Sequence, residues 1–172
     1  MDKETKQRFF DQTVERLAAQ GMSSRYCEHD QEGVLVESRC IYASAGGENG
    51  CAVGINFPVE VRKKRFLGRN ANGYSLEDLL KTEPELCSEH LGVEYRAKCV
   101  WETSVDLIVP YRSDFQFWLE MQRAHDGAHD LHEVKAKFRE VAKQFGLDGS
   151  KVELFTTWSL DGVDRSPILG ED

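Results

Sequence analysis

Three histidines fall within eight residues, in the order His125-Asp126-Gly127-Ala128-His129-Asp130-Leu131-His132. Separations of four and then three residues can bring imidazoles together around a metal, provided the backbone turns suitably and further ligands and outer hydrogen bonds complete the site. Gly127 and the two aspartates argue instead for a break between two helices, with Asp130 capping the second one. His125, His129 and His132 are thus only candidate ligands, and no metal or cofactor is expected. His125 and Asp126 are expected to tie this corner by hydrogen bonds.

A second chemistry would pair Cys40 or Cys51 with His125 or His90, since a thiol needs a nearby base and a polarising environment to become a nucleophile. Both cysteines lie among apolar neighbours of strand character, where a packed thiol is the usual outcome. The glycine-rich turn Gly46-Gly47-Glu48-Asn49-Gly50 does not read as a phosphate loop. It contains an acidic residue and lacks the Lys-Ser/Thr ending.

The third candidate is a basic knot in an acidic chain, Arg62-Lys63-Lys64-Arg65 with Arg69 and with Tyr74 or Phe66 as an aromatic neighbour. Guanidinium and ammonium groups at this density can hold a nucleotide or another small anion, or an acidic protein surface. A solvated charged face is the alternative. The ligand-binding candidates are Arg62, Lys63, Lys64, Arg65, Arg69 and Tyr74.

Composition limits the rest. With 172 residues, 40% hydrophobic and 30% charged, the chain suits one domain, residues 1–172, able to build a core without staples. No apolar run approaches the roughly 18 residues that cross a bilayer. The opening residues lack a secretory pattern, so a cytoplasmic location is expected. The five cysteines contain no close pair, and reduced thiols are the expectation, although Cys40 and Cys51 could face one another and bridge on oxidation. A net charge of −8 argues against general affinity for nucleic acid.

The elements that must position these residues follow from periodicity. Phe10, Val14, Leu17 and Ala18 predict a helix over Lys3 to Gln20, stopped at Gly21. Residues 22–33 read as a loop, and 34–42 as a strand. The Gly/Asn turn then predicts a hairpin returning through Ala52 to Phe57, unless that small-residue segment turns early into a helix near Pro58. Gly68 to Gly73 is turn chemistry. Ser75 opens a short helix through Leu79 and Leu80, with Pro84 near its end. Val93 to Val109 carries one or two strands closed by Pro110. Ser113 is a plausible cap for a helix through Phe115, Trp118, Leu119 and Gln122. A second helix follows through Leu131, Val134, Phe138, Val141, Ala142 and Phe145, ended by Gly146. Trp118 belongs to a helix core; Trp101 and Trp158 could be core or exposed anchors. Residues 151–160 alternate as a last strand, and 161–172 read as a frayed tail.

Taken in order, Cys40, Tyr42, Cys51, Ala52 and Gly54, then Leu119, Gln122, His125 and Asp126, then Phe138, Val141, Ala142, Gly146 and Leu147 resemble a group of small phage and prophage proteins of unknown function. Their pattern is a Cys-x-Tyr strand, a glycine turn, Cys-Ala-x-Gly and a later Leu-x-x-Gln-x-x-His-Asp helix end. The chain departs at Met121, in the longer loop over 22–33, in 85–111 and after 150. The resemblance implies an accessory viral or mobile-element protein of the host bacterial cytoplasm and supplies no activity.

The expected architecture is α+β, a small and mainly antiparallel sheet built on a 34–57 hairpin, with the N-terminal helix and a C-terminal helical pair packed on it. The expected function is non-enzymatic binding of a host or viral macromolecule, one version being inhibition through an acidic surface. One alternative is binding or sequestering a small anion such as a nucleotide at the 62–69 cluster. The other is a Cys/His or metal-dependent hydrolase.

Overall fold

The computed structural model describes residues 1–29, 32, 35–44, 47–66, 75–100 and 105–160, with the backbone alone for 25–29, 35–40, 99–100 and 105–106. The expected 68–73 turn, Trp101 and the 161–172 tail lie outside the described residues.

The chain is α+β. Helix α1 (Lys3–Gln20) begins at Asp2, whose carboxylate accepts from the Thr5 amide, and stops at Gly21 in the left-handed region, φ 67°. Its apolar stripe, Phe10, Val14 and Leu17, is fully buried. Strands β1 (Arg25–His29) and β2 (Leu35–Cys40) form one antiparallel pair, with Arg25 opposite Cys40 and a bulge at Glu28/His29. A 3-10 turn at Gly54–Asn56 leads through Pro58 into a short helix α2 (Val59–Val61), which widens into a π-helical turn at Arg62–Phe66. Helices α3 (Leu76–Thr82) and α4 (Pro84–Leu91) follow. Strands β3 (Tyr95–Val100) and β4 (Val105–Pro110) make a second, separate antiparallel pair. The chain then enters α5 (Arg112–Asp126) and α6 (Leu131–Phe145).

Several expected elements change. The partner of β2 is β1, inside the stretch expected as a loop, and residues 52–57 are not a return strand. Their amides bond locally instead, Ile55 to the Cys51 carbonyl at 2.9 Å and Phe57 to that of Gly54 at 3.1 Å. This is the early turn toward Pro58 left open by the sequence. Small residues are needed because Cys51 to Gly54 run buried beneath Tyr42. Cys51 is a free buried thiol whose Sγ accepts from the Gly54 amide at 3.4 Å, and the Cys40 side chain expected to approach it lies outside the described residues.

α3 ends at Thr82, close to Pro84 as expected, and Pro84 in turn opens a further helix, α4, since its missing N–H costs nothing in a first helical turn. The cap of α5 is Tyr111, two residues before Ser113. Residues 150–154 form a 3-10 turn, and of the expected last strand only Ser159 pairs, with Met22 in a single parallel bridge.

The core closes between the two ends of the described chain. Phe10 meets Phe138 of α6 at 6.3 Å between ring centres, Phe138 meets Phe155 at 5.6 Å, and Phe155 meets Trp158 at 5.5 Å edge to face. Both described tryptophans are buried with their polar ends satisfied, Trp118 Nε1 donating to the Leu91 carbonyl and Trp158 Nε1 to that of Ala128. Among the described residues no helix is long and apolar enough to cross a membrane.

Candidate anion-binding cleft

The basic knot divides. Arg62 and Phe66, four residues apart on one helical face, turn inward and are buried, while Lys63, Lys64 and Arg65 face outward. Arg65 Nη1 stands 3.7 Å from Glu83 Oε1 in a largely exposed pair. The Lys63 stem lies over Gly47, where a β-carbon would meet Lys63 Cγ at 2.6 Å. Arg69 and Tyr74 lie outside the described residues. Of the expected ligand-binding set, Arg62 alone is seen lining a large cleft.

That cleft is open to solvent, has a volume of about 720 Å³, and is walled by α1, the 47–59 segment, Arg62 and the end of α4. Arg62 retains only 5% of its exposure, yet only one bond to its guanidinium is seen, Nη1 donating to the Glu48 carbonyl at 2.9 Å. Its Nε is buried without a hydrogen-bond partner. Arg16, from the exposed side of α1, reaches over the 3-10 turn and donates from Nη1 to the Ile55 carbonyl at 3.1 Å and to Asn56 Oδ1 at 3.4 Å. Asn56 is fixed from below, its amide donating to Thr13 Oγ1 and to the Ala52 carbonyl, both at 2.8 Å. His90, at the last turn of α4, sets its ring edge to face with Phe57 at 5.7 Å.

Among the described residues neither Arg16 nor Arg62 has a carboxylate partner, and Glu48 is the one acidic side chain of the lining. Burial, followed by the nearby Arg16 charge, holds the Arg62 guanidinium below its ordinary pKa, with Cys51 acting in the opposite direction. A charge penalised in this way is relieved by an anion brought to it.

Arg16 was not legible as a site residue, and His90 stood out only as a possible base for a thiol, not as a neighbour of Arg62. They come to Arg62 from positions distant in the chain, and their local patterns are those of an exposed helix face and a helix end. A histidine in the last turn of α4 carried only a generic dipole signal.

The histidine corner is a structural tie. His125 is fully buried, its Nε2 accepts from the Ser24 amide at 3.3 Å, and its Nδ1 lies 2.8 Å from Asp126 Oδ1. The Ser24 bond requires the ring proton on Nδ1, directed at Asp126. Nε2 is thereby spent on a backbone amide, so the adjacent Ser24 side chain gains no base from it. His129 and His132 are exposed on the far side of the turn, and among the described residues no group of three potential ligands gathers for a metal. Cys87 is buried, and burial pushes its thiol up to about 12. That is not the environment of an activated nucleophile.

Compared with protein-family models, with curated proteins and with solved structures, the chain matches none.

Proposed function

We propose that this protein binds a small organic anion, without chemistry on it, in the cleft formed by Arg16, Arg62 and His90. The observation that carries the reading is Arg62, a buried guanidinium in the wall of an open cleft, with no carboxylate beside it among the described residues and Nε unpartnered. Buried charges are ordinarily paired, and a site that keeps one unpaired gains the difference when its ligand arrives. The cleft volume falls in the range of small-molecule sites, roughly 300–1,000 Å³. The resemblance to phage and prophage proteins supports placing such a binder, a sequestering protein, in a bacterial host's cytoplasm.

The test is mass spectrometry of small molecules released by denaturing the protein purified from cell extract, beside an Arg62→Met variant. An anionic compound retained by the parent and lost from the variant is the expected result. Equal retention by both overturns the reading.

A second reading, occupation of a host or viral protein, is favoured by one observation. On the separate β3–β4 pair, Leu107 and Ile108 are 51% and 62% exposed on a two-stranded sheet. As successive strand residues they point to opposite faces, so each face of the ribbon offers an exposed apolar side chain to a protein contact.

A further inference from the structure

Among the described residues no strand pairs with the outer edge of β4. The Tyr111 amide donates to the Glu94 carbonyl at 2.8 Å, which makes those two residues a hydrogen-bonded pair. Alternation along the register makes Arg96 with Val109 and Lys98 with Leu107 the next such pairs, and turns the backbone amides and carbonyls of Asp106 and Ile108 outward. No partner outside the ribbon reaches the Ile108 backbone among the described residues. Three of the four exposed large apolar side chains described, Leu107, Ile108 and Tyr111, lie on β4 or directly after it, so exposure is concentrated at this edge.

The two edges of the ribbon differ. β3 carries Arg96 and Lys98, both exposed, and pairing its edge with its own copy about Ala97 sets these like charges opposite one another, roughly 5 Å apart. Natural sheets guard an edge in this way. From Leu107 to Pro110, β4 has no charge and no such guard. Pro110 lacks an N–H and ends the run of outward donors.

We infer that a second copy of this chain pairs along β4, antiparallel, about a two-fold axis through Leu107, giving a four-stranded sheet with the two β3 strands outermost. The outward groups of Ile108 then exchange hydrogen bonds with the backbone of the partner's Asp106. Leu107 faces the partner's Leu107 in a pair without hydrogen bonds, where side chains come closest. An axis through Ile108 instead sets Asp106 against the partner's Pro110, which has no donor for the Asp106 carbonyl. The Lys98 ammonium groups of the two copies end three strand spacings apart, about 14 Å, beyond the screening length of about 8 Å at physiological salt. Both copies use the same patch, so assembly closes at two. A second copy, rather than a host or viral protein, thus accounts for the exposure of Leu107 and Ile108. The cleft lined by Arg16 and Arg62 includes no residue of the ribbon, so the pairing stands or falls apart from it.

The experiment is sedimentation velocity of the full chain, diluted from high to low micromolar concentration. A reversible shift between two chain masses and one is expected. Leu107→Lys and Leu107→Glu each set like charges on the two-fold axis and are expected to weaken the dimer about tenfold or more, while an equimolar mixture of the two variants recovers it. Ile108→Pro removes the outward N–H, leaves the ladder to β3 intact, and is expected to weaken the dimer as much. Circular dichroism checks the fold of each variant, and the charge exchange decides if the proline variant does not fold. A parent that is monomeric at every concentration overturns the inference, whether or not the ribbon retains another protein from cell extract. Assemblies larger than a dimer, a dimer indifferent to a folded Ile108→Pro, or a mixture no stronger than its single variants also overturn it.

Discussion

Gly54 lies directly against the carbonyl of Tyr42, so close that a β-carbon on Gly54 would stand 1.8 Å from the Tyr42 oxygen. The obstruction is backbone, which cannot swing away as a side-chain tip can. Gly54→Ala is expected to destabilise the protein by about 3 kcal/mol or more, as overpacking against a fixed core does. Urea denaturation gives the value. A loss under about 1 kcal/mol would mean that this crossing is loose.

Asp114 is a fully buried carboxylate on α5. It receives the Glu94 amide at 3.0 Å and the Met1 ammonium at 3.1 Å, with Lys6 Nζ at 3.8 Å. Asp114→Asn keeps the shape and removes the charge that two cations face. The expected loss is about 3–5 kcal/mol, the usual result of orphaning one side of a buried pair. Thermal unfolding in moderate salt measures it, and salt should soften the loss little because the group is shielded from solvent.

Arg62 runs the other way. Arg62→Met removes an unpaired buried charge at similar volume, so stability should be unchanged or higher while anion affinity disappears. Chemical denaturation beside the release measurement separates the two effects. A variant that unfolds more readily in the absence of ligand would show that the Glu48 bond, and not a ligand, is what Arg62 serves.

The alkaline limb reports on Cys87 and Tyr95. Burial raises the thiol from an ordinary 9.0 to about 12, and burial together with Cys87 raises the Tyr95 phenol. The folded state then holds protons that the unfolded state releases, so this contribution is intact below pH 9.0 and is lost as pH climbs toward 12. Cys87→Val is expected to flatten the fall in stability across that window. A parallel decline in parent and variant would remove the thiol from the account.

Thiol labelling resolved by peptide mass spectrometry should find Cys51 and Cys87 protected in the native protein and reactive in denaturant, because both are fully buried. Labelling of Cys51 under native conditions would reopen the nucleophile reading.

Helices α1 and α6 were legible because periodicity and caps agree at each end. Asp130 accepts from the Glu133 amide and Gly146 sits at φ 64°, so both limits of α6 are written in single residues. Ser75 and Asp78 form a reciprocal capping box in the same way. The segment around Tyr42 misled because glycine and alanine serve equally in a hairpin turn and in a backbone crossing, and only the third dimension separates the two. Strand β1 was hidden by Glu28 and His29, polar residues that a two-stranded ribbon tolerates. The cleft was one-third legible. Arg62 stood out as charge, but Arg16 and His90 become its neighbours through packing alone.

The bridge from Met22 to Ser159, with His125 reaching Ser24 beside it, sets a timetable for synthesis. The apolar side of α1 is covered by Phe138, Val152 and Phe155, all of which leave the ribosome more than a hundred residues later. Until then its exposed phenylalanines are open to chaperones and to other nascent chains. Folding of α1 onto its partners is therefore expected to wait until residues 138–155 have been made, governed by the encounter of distant segments rather than by the quick formation of the helices themselves.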